Sequence, residues 1–373
     1  MSRVVISCYD HEDNPHCGGG GAVVREIARC LSRKHEVVVV SGSFPGCRRE
    51  RPEPFQRMYL PTGWAGPRGG KLLFHLLLAR AARRITHDLW IESFTPPFST
   101  SFIPLVTTQP VIALAQMLPA EDMTRRYKIP FGFVERQGLA RYQRFIVLNE
   151  ADRDLVTGGR HDVSGTVIPN GVDLPAEPPL PGQGQYILFL GRIDVNQKGL
   201  DLLLAAIALA KPRLPVLVAG AGCPAEERKL FRLIQQTCGP VARVGQVSGP
   251  AKEALLRDCA FLVLPSRYET FGLSALEAMA WGKPVVHFDL PRLRWMGSKA
   301  AMGVPAFDVY SLAAAIRRLA TDDVQRASMG RAARETAERY SWAGIGERYL
   351  DIVDAWLSRP EVPELTQRRR RMS

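Results

Sequence analysis

The sequence lacks a long apolar run, a Cys-x-x-Cys pair and a signal peptide. Without a run of about 20 apolar residues, no membrane-spanning helix is predicted. The seven cysteines are odd in number and scattered, so the sequence indicates neither a disulfide framework nor a zinc site. The first residues lead directly into an apolar strand, from Arg3 to Cys8, where a secreted protein would carry its leader. These absences predict a cytoplasmic protein.

Acidic residues are fewer than basic ones: the sequence has 37 Asp and Glu and 49 Lys and Arg, which gives a formal charge of +12. Such an excess favours an acidic partner: a phosphorylated small molecule, an anionic membrane or nucleic acid. The sequence contains no nucleic-acid-reading module, so no nucleic-acid partner is predicted. The basic tail, Gln367-Arg-Arg-Arg-Arg-Met-Ser373, fits either a solvated terminus or electrostatic contact with anionic lipid. The second alternative would make the protein peripheral at the inner face of the membrane.

The chain has the composition of a globular protein and the length of two domains, with 373 residues, 46% hydrophobic and 23% charged. The segment from Arg3 to Val40 has the pattern of a strand, a glycine loop, a helix and a strand, which is half of a doubly wound α/β domain. No acidic residue follows the second strand, where Ser41-Gly-Ser43 stands. A nicotinamide dinucleotide is therefore disfavoured as a ligand.

A proline-rich connector, residues 174–185, predicts the domain boundary. It separates an N-terminal domain, residues 1–173, from a C-terminal domain, residues 186–340, in which strands and helices alternate again. A last helix, residues 341–358 with Ser341 as its cap, and the tail, residues 359–373, complete the predicted organisation. Both domains are predicted to be parallel α/β.

Three segments of the first half leave alternatives open. Residues 48–70 are rich in Pro, Gly and Arg and predict loop and strand fragments. The amphipathic segment from Leu72 to Ile85 predicts a helix that packs on the sheet, with a membrane-facing helix as the less favoured alternative.

The segment Asp152-Arg-Asp154 matches the Asp-x-Asp motif that holds a metal in another class of sugar transferase. A helix capped by Asn149, with acids in its first turn, is favoured instead, so no metal site is predicted.

The stretch from Ser266 to Val286 has the pattern of a loop, a helix and a strand that follow a buried strand. A helix that begins after Glu269-Thr-Phe-Gly272 directs unpaired backbone N–H groups outward, which makes an anion site. Glu269 and Glu277 flank these donors and lie up to about 12 Å apart along the helix axis. The pattern suits a ligand with hydroxyls at both ends and phosphates in the middle.

Two other strand ends carry polar residues. Arg192 and Lys198 lie in a loop between a strand and a helix, where cations and helix N–H groups would suit a diphosphate; the alternative is a solvated charged loop. Gln116 follows the strand Val111 to Ala115, at the edge where ligands collect in open α/β sheets. Its alternative is a polar strand end that faces solvent.

Four motifs together resemble family 4 of the retaining glycosyltransferases, which have the two-domain GT-B fold. The motifs are Gly191-Arg192 with Lys198-Gly199, Asn170-Gly-Val-Asp173, Ala219-Gly-Ala-Gly222, and Glu269 and Glu277 separated by seven residues. The resemblance spans nearly the whole chain. It implies two Rossmann-like parallel-sheet domains that face a central cleft, with a C-terminal helix that crosses back to the first domain.

The resemblance also implies a function. In such enzymes the second domain binds a nucleotide-diphosphate sugar and the first binds the acceptor, a glycan, a lipid-linked sugar or a small molecule. A hexose-type sugar is transferred with retention at the anomeric carbon, and neither a metal nor another cofactor is required.

The family's site residues correspond to specific positions in this chain. Arg192 and Lys198 would bind the diphosphate, Glu269 the donor sugar and Glu277 the ribose. The remaining donor-binding positions are the backbone of Phe271, Gly272 and Leu273 at the phosphates, Val247 at the base, and Gly18, Gly19, Gly20 and Gly21 as a loop that closes over the donor.

One position departs from the family pattern. Many members place a His near the donor sugar, where this chain has Gln116. Glutamine can hydrogen-bond a hydroxyl, but it cannot act as an acid or a base at neutral pH. Two alternatives to a glycosyltransferase therefore stay open: a non-catalytic partner subunit that binds a nucleotide sugar, and another GT-B enzyme such as a sugar-nucleotide epimerase or a phosphorylase.

Overall fold

The computed structural model describes residues 1–12, 14, 19–47, 52–96, 98–118, 120, 124, 128 and 130–358, except the side chains at positions 67 and 68. The basic tail and Gly18 lie outside these ranges, so the predictions made for them stay predictions. Within the ranges, no helix is both long enough and apolar enough to span a bilayer.

The first half of the chain forms a sheet of seven parallel strands. They are β1 (Arg3–Ser7), β2 (Glu36–Gly42), β3 (Gln56–Leu60), β4 (Leu89–Ser93), β5 (Val111–Ala115), β6 (Arg144–Val147) and β7 (Ser164–Val167). Their order is β3-β2-β1-β4-β5-β6-β7, with Val5 opposite both Val38 and Trp90. The central strands are continuous apolar runs because helices cover both faces of the sheet.

Helices accompany this sheet in the described part of the chain. They are α1 (Gly20–Leu31), α2 (Gly66–Ala82), α3 (Phe131–Leu139) and α4 (Glu150–Thr157). Alternate residues of a strand point to opposite faces, so Val4 packs in one core with α1 residue Ile27, and Val5 in another with α2 residues Phe74 and Leu78. The prediction that the helix after residue 70 packs on the sheet is confirmed.

The second half forms a sheet of six parallel strands. They are β8 (Tyr186–Leu190), β9 (Val216–Ala219), β10 (Val241–Gly245), β11 (Cys259–Leu264), β12 (Val285–Phe288) and β13 (Ala301–Val304). Their order is β10-β9-β8-β11-β12-β13. The order reverses between β8 and β11, and ligands of open α/β sheets bind beside the carboxyl ends of strands at such a point.

Helices cover both faces of the second sheet as well. They are α5 (Leu200–Ala210), α6 (Pro224–Gln236), α7 (Gly249–Asp258), α8 (Leu273–Ala280), α9 (Val309–Thr321) and α10 (Asp323–Glu338). Short 3₁₀ turns occur at Gly63–Ala65, Ile103–Leu105 and Pro291–Met296. Phe189 packs with α5 and α9 on one face, and Leu188 packs with α8 on the other.

The last helix, α11 (Trp342–Leu357), returns to the first half of the chain. Ser341 caps it, since its hydroxyl accepts a hydrogen bond from Gly344 N at 3.4 Å. Tyr349 and Val353 are buried in the same core as Ile27 of α1. The two parallel sheets and this crossing helix confirm the predicted GT-B architecture.

One prediction for the first half is wrong in part. Residues 48–70 were predicted to be loop and strand fragments, yet α2 begins at Gly66 and its first five residues include Gly69 and Gly70. A Cβ at Gly70 would lie 2.6 Å from Tyr9 Oη, so a glycine is required where this turn meets the strand end of β1. The low helix propensity of glycine misleads the sequence pattern here, because the close packing of Tyr9 on the turn is a tertiary contact.

Glu92, at the carboxyl end of β4, is fully enclosed by the first domain. Its carboxylate accepts hydrogen bonds from the Tyr142 hydroxyl and from Ser101 N. Burial raises the pKa of Glu92 from 4.5 to about 7, against the opposing effect of these bonds.

The Glu92→Gln variant is expected to lose a pH dependence of stability. Between about pH 4.5 and pH 7 the folded chain retains a proton on Glu92 that the unfolded chain has released, so wild-type stability falls as pH rises through that interval. The shift corresponds to about 3 kcal/mol between the two ends. Urea unfolding at pH 5 and pH 8 measures the difference, and Glu335→Gln, on an exposed side chain, is the control. An unchanged slope in Glu92→Gln would contradict the assignment.

Candidate functional site

Lys198 and Glu269 meet although 71 positions separate them. They lie in the loops after β8 and β11, the neighbouring strands at which the sheet order reverses. Lys198 Nζ donates a hydrogen bond to Glu269 Oε1, and the Ser266 hydroxyl donates to the same oxygen at 2.9 Å. The Lys198 and Glu269 side chains are only 17% and 9% exposed. Among the described residues, none donates a hydrogen bond to Glu269 Oε2, so this oxygen is available to a ligand.

Arg267 joins the two loops that carry Lys198 and Glu269. Its guanidinium donates to both carboxylate oxygens of Asp201 at 2.8 Å each, and its backbone N donates to Gln197 O at 2.9 Å. Burial alone would raise the pKa of Asp201, but the bonds from Arg267 lower it below its ordinary value. This bidentate ion pair therefore holds the two loops in a fixed relation to each other.

Arg192 lies in the same loop as Lys198, as the sequence predicts. It is exposed, and its Nη2 donates to Gln197 Oε1 at 2.7 Å. The loop ends at Gly199, whose φ of +63° is left-handed and whose Cβ, if present, would lie 1.9 Å from Pro265 O. Only glycine permits this approach of the loop to the end of β11.

The start of α8 lies beside this pair of loops. Gly272 precedes the helix with a left-handed φ of +85°, and its carbonyl oxygen accepts from Ala275 N and Leu276 N. The N–H groups of Leu273 and Ser274 have no acceptor within the helix. Phe271 is buried and its ring stacks on Trp295 at 4.8 Å, while Trp295 Nε1 donates to Phe271 O at 2.9 Å. The side chain of Phe271 thus anchors the helix start, and only backbone groups here are suited to contact a ligand.

Glu277 lies one turn into α8, and Lys252 of α7 donates to its Oε1 at 2.9 Å. Both side chains are about one-third exposed, at 29% and 33%. Val247 lies in the loop between β10 and α7, partly buried against the core under α8. The predicted base and ribose positions thus lie in the same domain as Lys198 and Glu269.

Three glycines of the first domain bring its backbone close to the site. A Cβ at Gly19 would lie 2.5 Å from Leu273 Cδ1, at the start of α8, and a Cβ at Gly20 would lie 3.1 Å from Gln116 Oε1. Gly21 is equally constrained, because its Cβ would lie 2.9 Å from the backbone of residues 11 and 12. The structure therefore places Gly19 against the start of α8, with Gln116 beside the next residue, Gly20.

Arg292 connects the domains at another point of the cleft. Its Nε and Nη2 donate to Asp152 Oδ1 at 3.0 and 2.8 Å, and its guanidinium lies 5.5 Å from the centre of the Tyr268 ring. Asn149 caps α4 as predicted, since its side chain accepts from Asp152 N at 2.9 Å. Asp152 thus belongs to a helix cap and an interdomain ion pair.

The assembled site contains the cations Lys198, Arg192 and Lys252, two carboxylates and a helix N-terminus. Lys198, Arg192 and the first turn of α8 favour negative charge, and Glu269 and Glu277 offer acceptors for hydroxyls on either side. Its chemistry suits a phosphorylated ligand with hydroxyl groups at both ends.

Comparison with known proteins gives the family. The model described as Glycosyltransferase Family 4 matches residues 17–175, and the model described as Glycosyl transferases group 1 matches residues 184–322. The chain belongs to glycosyltransferase family 4. This membership confirms the family that the sequence motifs predict.

Curated relatives of this family 4 member include two bacterial mannosyltransferases. The phosphatidyl-myo-inositol mannosyltransferase of Mycolicibacterium smegmatis is 32% identical over 234 residues, 58% of this chain and 60% of the relative. The GDP-mannose:cellobiosyl-diphosphopolyprenol alpha-mannosyltransferase of Xanthomonas campestris is 29% identical over 256 residues, 65% of this chain and 66% of the relative. The match thus spans less than two thirds of the length of each relative.

Similar solved structures support the fold of the whole family 4 chain. Sucrose-phosphate synthase from Thermosynechococcus elongatus superposes with a TM-score of 0.77 at 20% identity, over 95% of this chain and 99% of that one. The HepE protein of Anabaena, in complex with UDP-glucose, superposes with a TM-score of 0.74 at 15% identity, over 95% and 100%. At these identities the likeness shows the fold.

Sequence reasoning missed several residues that shape the site of this family 4 member. Lys252, Arg267 and Arg292 are charged residues to which the sequence pattern assigned no role, and their partners lie 25, 66 and 140 positions away. Ser266 had a local signal, because it stands three residues before Glu269. The long-range partners could be found only when the loops and domains were placed in space.

Proposed function

We propose that this chain transfers a hexose-type sugar from a nucleotide-diphosphate sugar to an acceptor hydroxyl, with retention at the anomeric carbon. The observation that carries the proposal is the meeting of Lys198 and Glu269 beside the start of α8. A cation, a carboxylate and a helix N-terminus thus converge at the strand-order reversal, where a diphosphate and an attached sugar fit together.

The donor would lie along α8. The diphosphate contacts Lys198, Arg192 and the N–H groups at Gly272 and Leu273, whose positive character offsets the charge of the leaving group. Oε2 of Glu269 accepts from a hydroxyl of the sugar. Glu277 accepts from the ribose, and the backbone at Val247 contacts the base.

The reaction breaks the bond between the anomeric carbon and the diphosphate oxygen, which keeps the electron pair. The acceptor oxygen forms the new bond on the same face, and its proton passes to a donor phosphate oxygen. Positive charge develops on the sugar and negative charge on the diphosphate, beside Glu269 and Lys198 respectively. Because the chain's own cations serve the diphosphate, we propose that no metal or other cofactor is needed.

The names of the relatives narrow the substrates. Both relatives described above are named as mannosyltransferases, and one name gives GDP-mannose as the donor. The names give phosphatidyl-myo-inositol and a cellobiosyl-diphosphopolyprenol as the acceptors. Both acceptors are anionic lipids, and the formal charge of +12 suits such a partner. We therefore propose a hexosyl donor and a lipid-linked acceptor, reached by peripheral contact with the membrane.

A donor panel is expected to identify one nucleotide sugar that the chain turns over. Purified protein is incubated with GDP-mannose, UDP-glucose, UDP-galactose or UDP-N-acetylglucosamine, with and without a lipid extract, in the presence of EDTA. Release of the free nucleotide diphosphate is the readout, and it should rise when the extract supplies an acceptor. Binding without turnover would favour the alternative of a non-catalytic partner subunit.

The Lys198→Ala variant tests the diphosphate contact by calorimetric titration with the nucleotide diphosphate. Loss of a charged hydrogen bond, worth about 1.5 to 3 kcal/mol, should weaken binding of the nucleotide diphosphate about 10- to 100-fold. Lys229→Ala, which removes an exposed lysine of α6, is the matched control and should bind as the wild type does. If both variants bound the nucleotide diphosphate with equal affinity, Lys198 would not contact the diphosphate, and its loop would have only a structural role.

A further inference from the structure

Two buried polar atoms on the first-domain side of the cleft have no partner among the described residues. They are Oδ1 of Asp10 and Nε2 of Gln116. Each is shielded from solvent, and a buried donor or acceptor without a partner costs free energy in the absence of a ligand. Such a pair marks a place where a ligand can supply both missing hydrogen bonds.

The two side chains lie at the same edge of the sheet. Asp10 follows β1 and Gln116 follows β5, and both side chains approach Gly20 at the start of α1. A Cβ at Gly20 would lie 3.1 Å from Gln116 Oε1 and 3.8 Å from Asp10 Oδ2. The absence of a side chain at Gly20 therefore keeps the space between the two groups open.

This space is adjacent to the start of α8. Gly19 precedes Gly20, and a Cβ at Gly19 would lie 2.5 Å from Leu273 Cδ1. Leu273 is the first residue of α8, the helix that begins four positions after Glu269. The space beside Gly20, which both side chains border, thus lies next to the second domain, where the proposed function places the transferred sugar.

The chemistry of the two atoms is complementary. A carboxylate oxygen only accepts hydrogen bonds, and an amide nitrogen only donates them. A hydroxyl group does both, so a single hydroxyl can donate to Asp10 Oδ1 and accept from Gln116 Nε2.

We propose that Asp10 and Gln116 together bind one hydroxyl of the transferred sugar, which makes Asp10 a further donor-specificity residue. The proposal rests on the proposed function, because it requires a sugar at this position. It also explains how Gln116 can bind the sugar at a position where many family members have a His: Gln116 donates a hydrogen bond to the hydroxyl, and Asp10 accepts one from it. A site that pairs both atoms with a hydroxyl rejects sugars that lack it, since the two groups would then stay unsatisfied.

Asp10→Ala is expected to weaken nucleotide-sugar binding about 10- to 100-fold and to leave binding of the nucleotide diphosphate within about twofold. Calorimetric titration with GDP-mannose against GDP, and with UDP-glucose against UDP, separates the sugar contact from the nucleotide contact. Asp10→Asn should show a smaller loss. Asp162→Ala, at an exposed carboxylate, is the control and should bind both ligands as the wild type does.

A double-mutant cycle with Gln116→Ala tests whether the residues share one hydroxyl. If they do, the loss of affinity in the double variant is smaller than the product of the two separate losses. Thermal unfolding of each variant establishes that it is folded. If Asp10→Ala weakens both ligands equally, changes neither affinity, or changes only the KM for the acceptor, the assignment of Asp10 is overturned. Failure of the wild type to bind any nucleotide sugar would instead overturn the proposed function, and with it this assignment.

Discussion

Glu269→Ala is expected to lower the rate of sugar transfer at least about a hundredfold while nucleotide-diphosphate affinity stays within about threefold. Among the described residues, Lys198 and Ser266 donate hydrogen bonds to Glu269, and both donate to Oε1. These bonds hold the Glu269 side chain, which is only 9% exposed, in one orientation, and the proposed function assigns Oε2 to the donor sugar. Removal of the carboxylate leaves the sugar without this contact, and it leaves the positive charge on the reacting carbon without a counter-charge.

The nucleotide should remain bound in this variant because its contacts belong to other residues. Lys198 keeps its charge when Glu269 is removed, and it becomes free to pair with the diphosphate alone. Initial rates with the donor selected by the panel, together with titration by the nucleotide diphosphate, separate the two effects. Glu253→Ala, on an exposed residue of α7, is the matched control. A Glu269→Ala enzyme with wild-type rates would refute the role of this carboxylate.

Gly220→Ala is expected to destabilise the second domain by about 4 kcal/mol, a large fraction of the stability of a typical domain. Gly220 follows β9 with a φ of +134°, and a Cβ there would lie 1.7 Å from Gly191 O. That oxygen belongs to the backbone that leads into Arg192, so a rotamer change cannot relieve the overlap. The ends of β8 and β9 would have to separate.

Gly297→Ala is the control that isolates the steric part of this cost. Gly297 also has a positive φ, +72°, but a Cβ there would meet no atom within 4 Å. Its substitution should therefore cost only the backbone strain, about 1 kcal/mol. Urea unfolding of both variants gives the difference. If Gly220→Ala and Gly297→Ala were equally stable, the close approach of Gly220 to Gly191 would be refuted.

The fold was largely predictable because its strands carry unbroken apolar runs. The strand Val111–Ala115 has the predicted bounds, and the helix Trp342–Leu357 lies one residue inside each end of the predicted range 341–358. Runs such as these are typical of strands buried on both faces, and Ser341 gave a local cap signal for the helix. The start of α2 was missed because glycines open it, and one of them, Gly70, lies against Tyr9 in a tertiary contact that no local pattern contains.

The sequence by itself determined the family, the two-sheet architecture and the identity of the charged residues at the strand ends. Only the tertiary structure decided which of them touch. It paired Lys198 with Glu269, and Arg292 with Asp152 across the domains. It also left an oxygen of Asp10 buried without a partner among the described residues. The physical reason is that parallel strands bring the loops at their carboxyl ends together irrespective of sequence separation, and a linear pattern does not encode those distances.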